Sequence, residues 1–525
     1  MSDPVAGDPS QLALASPTAI SRLSSWRSGA IRAGTLGLAT GWVMAAAAPR
    51  DFPVGTFVDD AQYVVLAKSL REHYTYRTLN LPGGPAETKY PPLFPALLAT
   101  VWSPGAGVAA NLERARLVNL ALLGPLAAVL AAAGVGLFRL PPLASVVAVT
   151  AGLASAPAVN LWTMPMAEPL SLLLVTLSLW FADAGRWRSA ALAGAMGALA
   201  RTLALPFLAV VLVEAWRRGG RREGALAAAI GGVLLAPWLA WSLAHGAETP
   251  NALLGIHGSY GAWYADAVRA DPATVLFLVP LKNVLLLARA AGTALLGWSW
   301  LHAAVLAALG SVVIGLVAGW TGARVVPLGL GLYAVAILLW PFPQADRFVG
   351  GVWALVLLAA LAALPAARAR LPVAAGVLAL ALVGFARGEG VRGHRAAGTA
   401  AARLFPAIRP VVAGSRAVAV SNPPLYYLSL GVPTVPNERM RAWRWYRQGY
   451  WATAWGLGDD LWPILDRYHP DFVIVEQRGP EGRWAVGSLM RQCPGILREV
   501  WHSQTDEAVF QATYGAVCAP VKVER

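Results

Sequence analysis

The chain consists largely of apolar blocks of about 16 to 25 residues, and as a helix each block is long enough to cross a hydrocarbon core about 30 Å thick. Charged residues make up only 13% of the sequence, whereas soluble globular domains contain about 25%. A soluble domain is therefore excluded. The pattern predicts a polytopic α-helical membrane protein.

The net charge of +14 at first suggests an acidic partner such as nucleic acid. Most arginines, however, stand in short clusters between apolar blocks, for example in the segment RRGGRR at 217–222. Loops on the cytoplasmic side of membrane proteins are enriched in lysine and arginine in this way. We therefore expect membrane lipids and no nucleic acid as partners, and a multi-pass protein of the cell membrane.

The arginine clusters also predict the topology. Residues 1–30 form a cytoplasmic tail, the first span is 31–48, and 49–110 is the first outer loop. Counting on from there gives about 11 transmembrane helices, give or take two, with the segment 274–299 left ambiguous. The other expected spans are 111–137, 143–162, 168–184, 189–202, 203–216, 224–244, 302–320, 326–341, 350–365 and 371–386.

Residues 387–525 differ from the transmembrane part 31–386. Short β-rich runs at 416–421 and 471–477 alternate with amphipathic stretches and Pro/Gly turns, which is typical of a small α/β domain. The expected number of crossings places this domain outside the cytoplasm. It also holds Cys493 and Cys518, which form either a disulfide or two unpaired core thiols.

The first outer loop contains an acidic pair, Asp59 and Asp60, directly after the first span. The residues from 58 to 72 have an apolar and a charged face and predict an amphipathic helix at the membrane surface. Asp59 could be the N-cap of this helix, with Gln62 completing a capping box. A carboxylate fixed at a helix N-terminus would equally suit a base that orients a hydroxyl.

A proline-rich turn, ETKYPPLFP, follows and leads into a second helical segment at 93–102. Its prolines predict a stiff, extended entry. Lys89 is either an interfacial lysine that extends to water or a phosphate contact. Glu87, two residues before it, is a further acidic candidate.

Two later positions combine charge with the ends of spans. Glu168 stands in a very short outer turn, TMPMAEPL, either as an ordinary helix N-terminal acid or as a site residue. Arg347 opens a span on the outer side, where basic residues are disfavoured. It either pairs with its neighbour Asp346 or binds a lipid phosphate.

The loop 245–273 is rich in aromatic residues. Aromatic side chains of this kind stack on sugars or form an interfacial belt, and we favour the belt. His257 in this loop is more typical of a surface histidine than of a ligand. The candidates for sugar contacts are His257, Tyr260, Trp263 and Tyr264.

Together, these motifs resemble one known family. An acidic pair opens an amphipathic helix (VDDAQYVVLAKSL), a KYPPLFPALL turn follows, and a Glu-Pro hairpin and an arginine-headed late span come later. In this order and sidedness they are similar to the GT-C superfamily of integral membrane glycosyltransferases, in particular the aminoarabinose transferase and protein O-mannosyltransferase branch. The likeness covers roughly residues 31–386 and implies a GT-C-like transmembrane catalytic domain.

The resemblance implies an activity. Such enzymes move a sugar, with inversion, from a polyprenyl-phosphate-linked donor to a lipid, glycan or protein acceptor at the extracytoplasmic face. Some relatives bind a divalent metal, and the sequence leaves a metal open. By resemblance, Asp59 is the catalytic carboxylate beside Asp60, Lys89 and Arg347 contact the donor phosphate, and Glu168 is an acidic residue of the second outer loop. Glu168 and Glu87 are the candidates for an acceptor or acidic site.

Two other classes of function stay open. A lipid or saccharide transporter or flippase would have charges inside its spans and inverted hydropathy repeats. No repeat is visible, but Arg201 and Lys282 interrupt apolar segments. A membrane-anchored scaffold is the third possibility, and it would not explain the outer acids and bases.

Overall fold

The structure is a computed structural model, and its main feature is a large helical bundle with a small β-sheet near the C-terminus. It describes residues 17–51, 54–55, 57–250, 253–296, 325–437, 443–448, 458–476, 486–487, 489–491, 493–504 and 507–514.

Helices α1–α9 make up the first half of the bundle and the first loop. α4 is the longest of them after α1. The helices are α1 Pro17–Ala46, α2 Asp59–His73, α3 Leu93–Ala99, α4 Val108–Gly136, α5 Pro142–Ala154, α6 Ala156–Trp162, α7 Glu168–Asp183, α8 Trp187–Ala200 and α9 Leu205–Arg218.

The second half of the bundle continues to residue 386 and includes a π-helical turn, Thr274–Leu278. Its helices are α10 Gly220–His245, α11 Leu254–His257, α12 Tyr260–Ala270, α13 Val279–Leu296, α14 Val325–Leu338, α15 Ala345–Gly350, α16 Trp353–Ala363 and α17 Arg370–Ala386.

Several of these helices are apolar and long enough to cross a membrane. Among the described residues, four helices are both long enough and apolar enough to cross a membrane. A fifth candidate is the bent pair α5 and α6, whose axes differ by 76°. The expected span 302–320 lies outside the described residues, and several other expected spans are helices of 11 to 16 residues. The number of about 11 crossings stays a prediction. The four helices are Val108–Gly136, Gly220–Glu248, Thr274–Leu295 and Ala367–Ala386.

Small residues allow close packing of the first span. A Cβ atom on Gly37 would lie 2.6 Å from the backbone oxygen of Ala127, and one on Gly41 would lie 2.5 Å from that of Leu123. Helices α1 and α4 therefore touch through their backbones, as small residues permit at membrane helix interfaces.

A five-stranded sheet forms the centre of the C-terminal region, in the order β2-β1-β3-β5-β4. β1 is parallel to both β2 and β3, while β5 is antiparallel to β3 and β4. The two β-rich runs seen in the sequence contain β1 and β3, so the expected α/β character is confirmed. The elements are β1 Val418–Val420, β2 Thr434–Pro436, β3 Phe472–Val475, β4 Leu497–His502 and β5 Ala508–Ala512, with α18 Arg392–Val412, α19 Pro423–Leu430, α20 Trp443–Gln448 and α21 Gly458–Tyr468.

The first loop is attached to this C-terminal region. The Asn422 side chain donates a hydrogen bond to the Gly55 carbonyl at 2.6 Å. The backbone N–H of Thr434 donates to the Asn80 carbonyl at 2.7 Å. The loop that contains the acidic pair is thus held between the membrane helices and the sheet.

Helix α20 attaches the C-terminal region to the bundle a second time. The Lys282 ammonium donates to the Tyr446 carbonyl, and the Tyr446 hydroxyl donates to the Asn283 side chain at 2.7 Å. Lys282 is therefore used in an interdomain contact. Cys493 is buried, and its expected partner Cys518 lies outside the described residues, so the disulfide stays a prediction.

Gly55 is the most sensitive point of the loop attachment. Its φ of +115° favours glycine, and an added Cβ would lie 2.5 Å from the Leu425 side chain. We expect Gly55→Ala to lower the unfolding free energy by about 1–3 kcal/mol, measured by thermal unfolding of the solubilised protein. Gly105→Ala, where a Cβ meets nothing within 4 Å, is the control. Equal unfolding temperatures for the two variants would contradict the proposed tight contact.

Candidate active site

Asp59 is the first residue of helix α2, but it does not cap it. The N-cap position is Val58, with φ of +69° and no side-chain cap hydrogen bond. The Asp59 carboxylate instead accepts hydrogen bonds from the Tyr90 hydroxyl at 2.6 Å and from Arg347 Nη1 at 2.5 Å. The capping-box interpretation is therefore wrong, and the Asp59 side chain is held by residues from two other segments.

The two adjacent carboxylates have different environments. Asp60 is fully buried and accepts the backbone N–H groups of Gly55 at 2.6 Å and of Phe57 at 3.0 Å. Burial raises the pKa of Asp60 to about 6, although these two N–H groups oppose the rise. Burial also raises the pKa of Asp59, but the charges of Arg347 and Lys89 outweigh it and hold that pKa below its ordinary value. Asp59 is thus ionised, while Asp60 shapes the turn before it.

Arg347, on the short helix α15, joins two acids from distant parts of the chain. Its Nη1 donates to Asp59, and its Nε donates to Glu168 at 2.5 Å. The expected pairing with Asp346 is wrong, because this guanidinium points towards the acids at the start of α2 and α7. The two hydrogen bonds fix the plane of the guanidinium and, through it, the position of Asp59.

Arg201 is a site residue that the sequence did not indicate as such. It lies in extended backbone at the break between α8 and α9, where it forms an ion pair with Glu168. The four side chains of Asp59, Arg347, Glu168 and Arg201 therefore form one continuous chain of charges, which we call the acid–arginine network. The only sequence signal for Arg201 was the interruption of an apolar segment shortly before Pro206.

Glu87 organises the turn that presents Lys89. Its carboxylate accepts the backbone N–H of Lys89 at 2.7 Å, the N–H of Tyr90 at 3.2 Å and the Thr78 hydroxyl at 3.2 Å. Glu87 does not line the cavity described below. Glu87 therefore shapes this turn, and its place in an acceptor or acidic site stays a prediction.

The Lys89 side chain lies next to two aromatic rings. Its ammonium is 5.4 Å from the Tyr90 ring centre and 5.8 Å from that of Tyr260, within cation–π range. Burial lowers the pKa of Lys89, while the negative charges of Asp59 and Glu87 oppose the fall. The side chain is thus a partly buried cation close to the candidate catalytic acid.

These charged groups surround a cavity of about 500 Å³, which we call the catalytic cavity. This size is typical of a small-molecule site. The cations around it are Lys89, Arg201 and Arg347. The carboxylates are Asp59 in the wall and Glu168 behind it, so these five groups carry a net charge of +1. The cavity suits an anionic group flanked by an apolar one. Its lining includes Phe57, Val58, Asp59, Lys89, Tyr90, Arg201, Tyr260, Trp263, Trp340, Phe342, Gln344, Arg347 and Phe348.

The aromatic candidates of the loop 245–273 separate into two groups. Tyr260 and Trp263 line the cavity, as candidates for sugar contacts would, while the favoured interfacial belt stays a prediction. Tyr264 lies behind them and stacks on Trp340 at 6.3 Å. His257 is buried, not at the surface as expected, and burial lowers its pKa to about 3, helped by the charge of Lys89. His257 is therefore neutral and does not line the cavity.

A metal ion is not supported by the available ligands. Among the described residues, no group of three or more His, Cys, Asp or Glu side chains could hold a metal ion. The acids near the cavity are already paired with arginine or backbone N–H groups. No step proposed below uses a metal.

Two solved structures have this fold. ArnT from Cupriavidus metallidurans bound to undecaprenyl phosphate matches with a TM-score of 0.53 at 14% identity, over 95% of this chain and 99% of that chain. The same protein in the apo state gives 0.50 and 14%, over 94% and 98% of the two chains. No protein family model matches, and no curated protein gives a significant match. At this level of identity the likeness shows the fold alone, and the fold agrees with the one expected from the sequence.

The environment of Glu87 predicts a pH effect on stability. Burial raises the pKa of Glu87 from 4.5 to about 7. At pH values between 4.5 and about 7, Glu87 keeps its proton in the folded protein and loses it in the unfolded chain. The free energy of unfolding therefore falls as the pH rises through this range, by about 3 kcal/mol in all. Glu87→Gln keeps the acceptor oxygen and should lack this decline.

The measurement is thermal unfolding from pH 4.5 to 8. The glutamine variant should gain stability relative to the wild type as the pH rises. Glu113→Gln, at a more exposed glutamate, is the control and should follow the wild type. A constant difference between Glu87→Gln and the wild type at every pH would contradict the buried, protonated state.

Proposed function

We propose that this chain transfers a sugar from a polyprenyl-phosphate-linked donor to an acceptor hydroxyl, with inversion, at the extracytoplasmic face of the membrane. The main support is Asp59, a carboxylate fixed by Arg347 at the wall of a cavity with excess positive charge. The fold adds to this, since ArnT with the same fold was crystallised with undecaprenyl phosphate. The acceptor class remains lipid, glycan or protein.

Lys89 is the cation that we assign to the donor phosphate. Nε and Nη1 of Arg347 are already bonded to Glu168 and Asp59, so its role in this proposal is mainly to hold Asp59. Lys89 lines the cavity, and its ammonium is a compact charge at the end of a flexible stem, which suits a phosphate oxygen. As the bond between the sugar and the phosphate oxygen breaks, Lys89 stabilises the negative charge that develops there.

Asp59 acts on the acceptor. Its carboxylate receives one hydrogen bond at each oxygen, and a carboxylate has further lone pairs for a hydroxyl donor. The acceptor oxygen attacks the anomeric carbon opposite the phosphate, its proton passes to Asp59, and polyprenyl phosphate leaves. Since phosphate needs no protonation to depart, one carboxylate is enough, unlike the two acids of glycosidases.

The lowered pKa of Asp59 makes it a weak base. It therefore orients the hydroxyl in the ground state and takes the proton late, when the new bond to the sugar has formed. Tyr260 and Trp263 offer aromatic faces for the sugar ring. Glu168 pairs with Arg347, and Arg201 pairs with Glu168, so both residues help to hold Arg347 in place.

The division of the chain belongs to the same proposal. Residues 1–30 are the cytoplasmic tail, 31–386 the transmembrane catalytic domain, and 387–525 an extracytoplasmic domain. The attachment of the first loop to the C-terminal sheet puts both on one side of the bundle. The excess of arginine in the opposite loops supports the extracytoplasmic side.

The two charged residues that interrupt apolar segments, and so favoured a transporter, both make specific contacts in the structure. Arg201 belongs to the acid–arginine network, and Lys282 contacts the Tyr446 carbonyl. Neither marks a path through the middle of the bundle. Transfer explains the arrangement of the acids and cations, and transport does not.

The first test of the function is Asp59→Asn. We expect transfer to fall by about 10²–10⁴-fold, because the base is lost. Purified protein is incubated with radiolabelled polyprenyl-phosphate sugars and a membrane extract, and label in the acceptor is measured. Protection against thermal unfolding by undecaprenyl phosphate should persist. Asp346→Asn, next to Arg347 but outside the cavity lining, is the control. Wild-type turnover by Asp59→Asn would remove Asp59 as the base.

The second test concerns Lys89. Lys89→Gln should lower kcat/KM for the donor by about 10- to 100-fold, the effect of losing one charge-assisted hydrogen bond. Initial rates at several donor concentrations give this value. Lys68→Gln is the matched control, since Lys68 lies on α2 but pairs with Glu72. If both variants lost activity equally, the phosphate role of Lys89 would be ruled out.

A further inference from the structure

The wall of the catalytic cavity holds three neutral polar side chains besides its charged groups. They are Thr202, Tyr260 and Gln344, and all three residues are partly buried. Within the described part of the chain, none of these side chains has a hydrogen-bond partner in the protein. The wall thus offers two hydroxyls and one amide to a ligand, and each of them can both donate and accept a hydrogen bond.

Two of these groups stand beside the acid–arginine network. Thr202 directly follows Arg201, and Gln344 is the N-cap residue of α15, three positions before Arg347. The two arginines meet at one carboxylate oxygen of the network, and Arg347 also holds Asp59. Thr202 and Gln344 therefore belong to the part of the wall close to Asp59, where the proposed reaction places the sugar.

The acids around this part of the wall are already in use. Asp59 is the single carboxylate in the described lining of the cavity, and the proposed reaction needs it for the acceptor. Glu168 lies behind the wall against two arginines. Asp60 and Glu87 are buried outside the lining and accept backbone N–H groups. Among the described residues, no carboxylate of this wall is left for a cationic group of the donor.

The net charge of the site leads to the same conclusion. The five charged groups around the cavity sum to +1. A phosphodiester donor brings a single negative charge, as each phosphate of a nucleic-acid backbone does, and so balances the site. An ammonium group on the sugar would add a positive charge that nothing in the described wall compensates, and an uncompensated charge away from bulk water is costly.

Sugar hydroxyls suit the same wall. Each hydroxyl donates and accepts, and so can pair with the amide of Gln344 and the hydroxyl of Thr202. The rings of Trp263 and Trp340 also line the cavity and offer surface to the apolar face of a sugar. A few neutral polar groups among aromatic side chains are typical of sites that fix the orientation of a small molecule.

We propose that the donor sugar is neutral, with hydroxyl groups and no ammonium group, and that Gln344 and Thr202 recognise its hydroxyls. This inference rests on the proposed function, because it takes the catalytic cavity as the donor site. It narrows the donor from polyprenyl-phosphate-linked sugars in general to uncharged ones. It also makes Gln344 and Thr202 residues that determine specificity.

The test uses the full-length protein in nanodiscs and undecaprenyl-phosphate donors in matched pairs. Each pair joins a neutral sugar to its amino derivative: mannose and mannosamine, glucose and glucosamine, arabinose and 4-amino-4-deoxyarabinose. Undecaprenyl methyl phosphate is a phosphodiester without a sugar and serves as the reference. Affinity is measured as protection against thermal unfolding at about pH 6.5, where an amine of this kind is protonated.

We expect at least one neutral donor to bind more tightly than undecaprenyl methyl phosphate. Its amino partner should bind more weakly than the neutral donor, by about 10-fold or more, because its charge is uncompensated. Equal or tighter binding of the amino partner would overturn the inference. It would also be overturned if no sugar-bearing donor bound more tightly than the reference, since the wall would then recognise no sugar.

Substitutions of Gln344 separate the hydrogen bond from the charge. Gln344→Leu should weaken binding of the neutral donor by about 2- to 10-fold and leave that of undecaprenyl methyl phosphate unchanged. Gln344→Glu supplies the missing carboxylate and should narrow or reverse the preference within the pair. Gln504→Glu adds the same charge at an exposed position between β4 and β5 and should keep the wild-type preference. An unchanged affinity in Gln344→Leu, or an unchanged preference in Gln344→Glu, would overturn the role of Gln344.

Thr202→Val is the parallel test of the hydroxyl. It keeps the shape of the side chain and should weaken binding of the neutral donor but not of undecaprenyl methyl phosphate. Equal weakening of both ligands would indicate a structural role and remove Thr202 from sugar recognition.

Binding and transfer are scored separately. If the neutral donors bind as expected but no label reaches an acceptor, the proposed function fails and the sugar preference stands. If an amino sugar is transferred as fast as its neutral partner, the sugar preference is overturned and the proposed function stands.

Discussion

The arrangement depends first on the acid–arginine network. Asp59, Arg347, Glu168 and Arg201 come from four different elements and are all largely buried. Removing one partner from a buried ion pair costs about 3–5 kcal/mol, because the other charge is left without compensation. The ends of α2, α7, α8 and α15 must therefore meet in one geometry, and the network makes folding of the bundle and assembly of the site the same event.

The C-terminal region completes the site from the other side. The turn before Asp59 contains Gly55 and Val58 with positive φ, a conformation that costs energy for valine and persists only when its surroundings enforce it. Asn422 and the buried Asp60 carboxylate both bond this turn. The helical bundle therefore holds the Asp59 carboxylate through Arg347. The sheet region holds the backbone of the turn before Asp59 through Asn422. On the proposed function, this double attachment gives the C-terminal region a part in positioning the candidate base.

Local patterns in the sequence predicted part of this. The apolar blocks gave the helical class, and the acidic pair and the proline turn gave Asp59 and Lys89, because each of these signals lies within a few residues. The partner of Arg347 could not be found this way: Asp59 lies 288 positions away, and the adjacent Asp346 was the obvious wrong choice. Arg201 was interpreted as a charge inside a span because only the fold shows that α8 ends there. The order of the strands in the C-terminal sheet is likewise set by long-range pairing.

The excess of positive charge around the catalytic cavity suits the leaving group of the proposed reaction. A phosphate leaving group needs cations that are in place before the bond breaks, since groups that must reorient during the reaction stabilise the transition state less. The network keeps Arg347 and Arg201 oriented at the expense of folding energy, and Lys89 remains the cation assigned to the donor. Because Arg347 orients the Asp59 carboxylate in the folded protein, neither group has to turn when the donor binds. On the proposed function, the barrier to transfer therefore contains no contribution from their reorganisation.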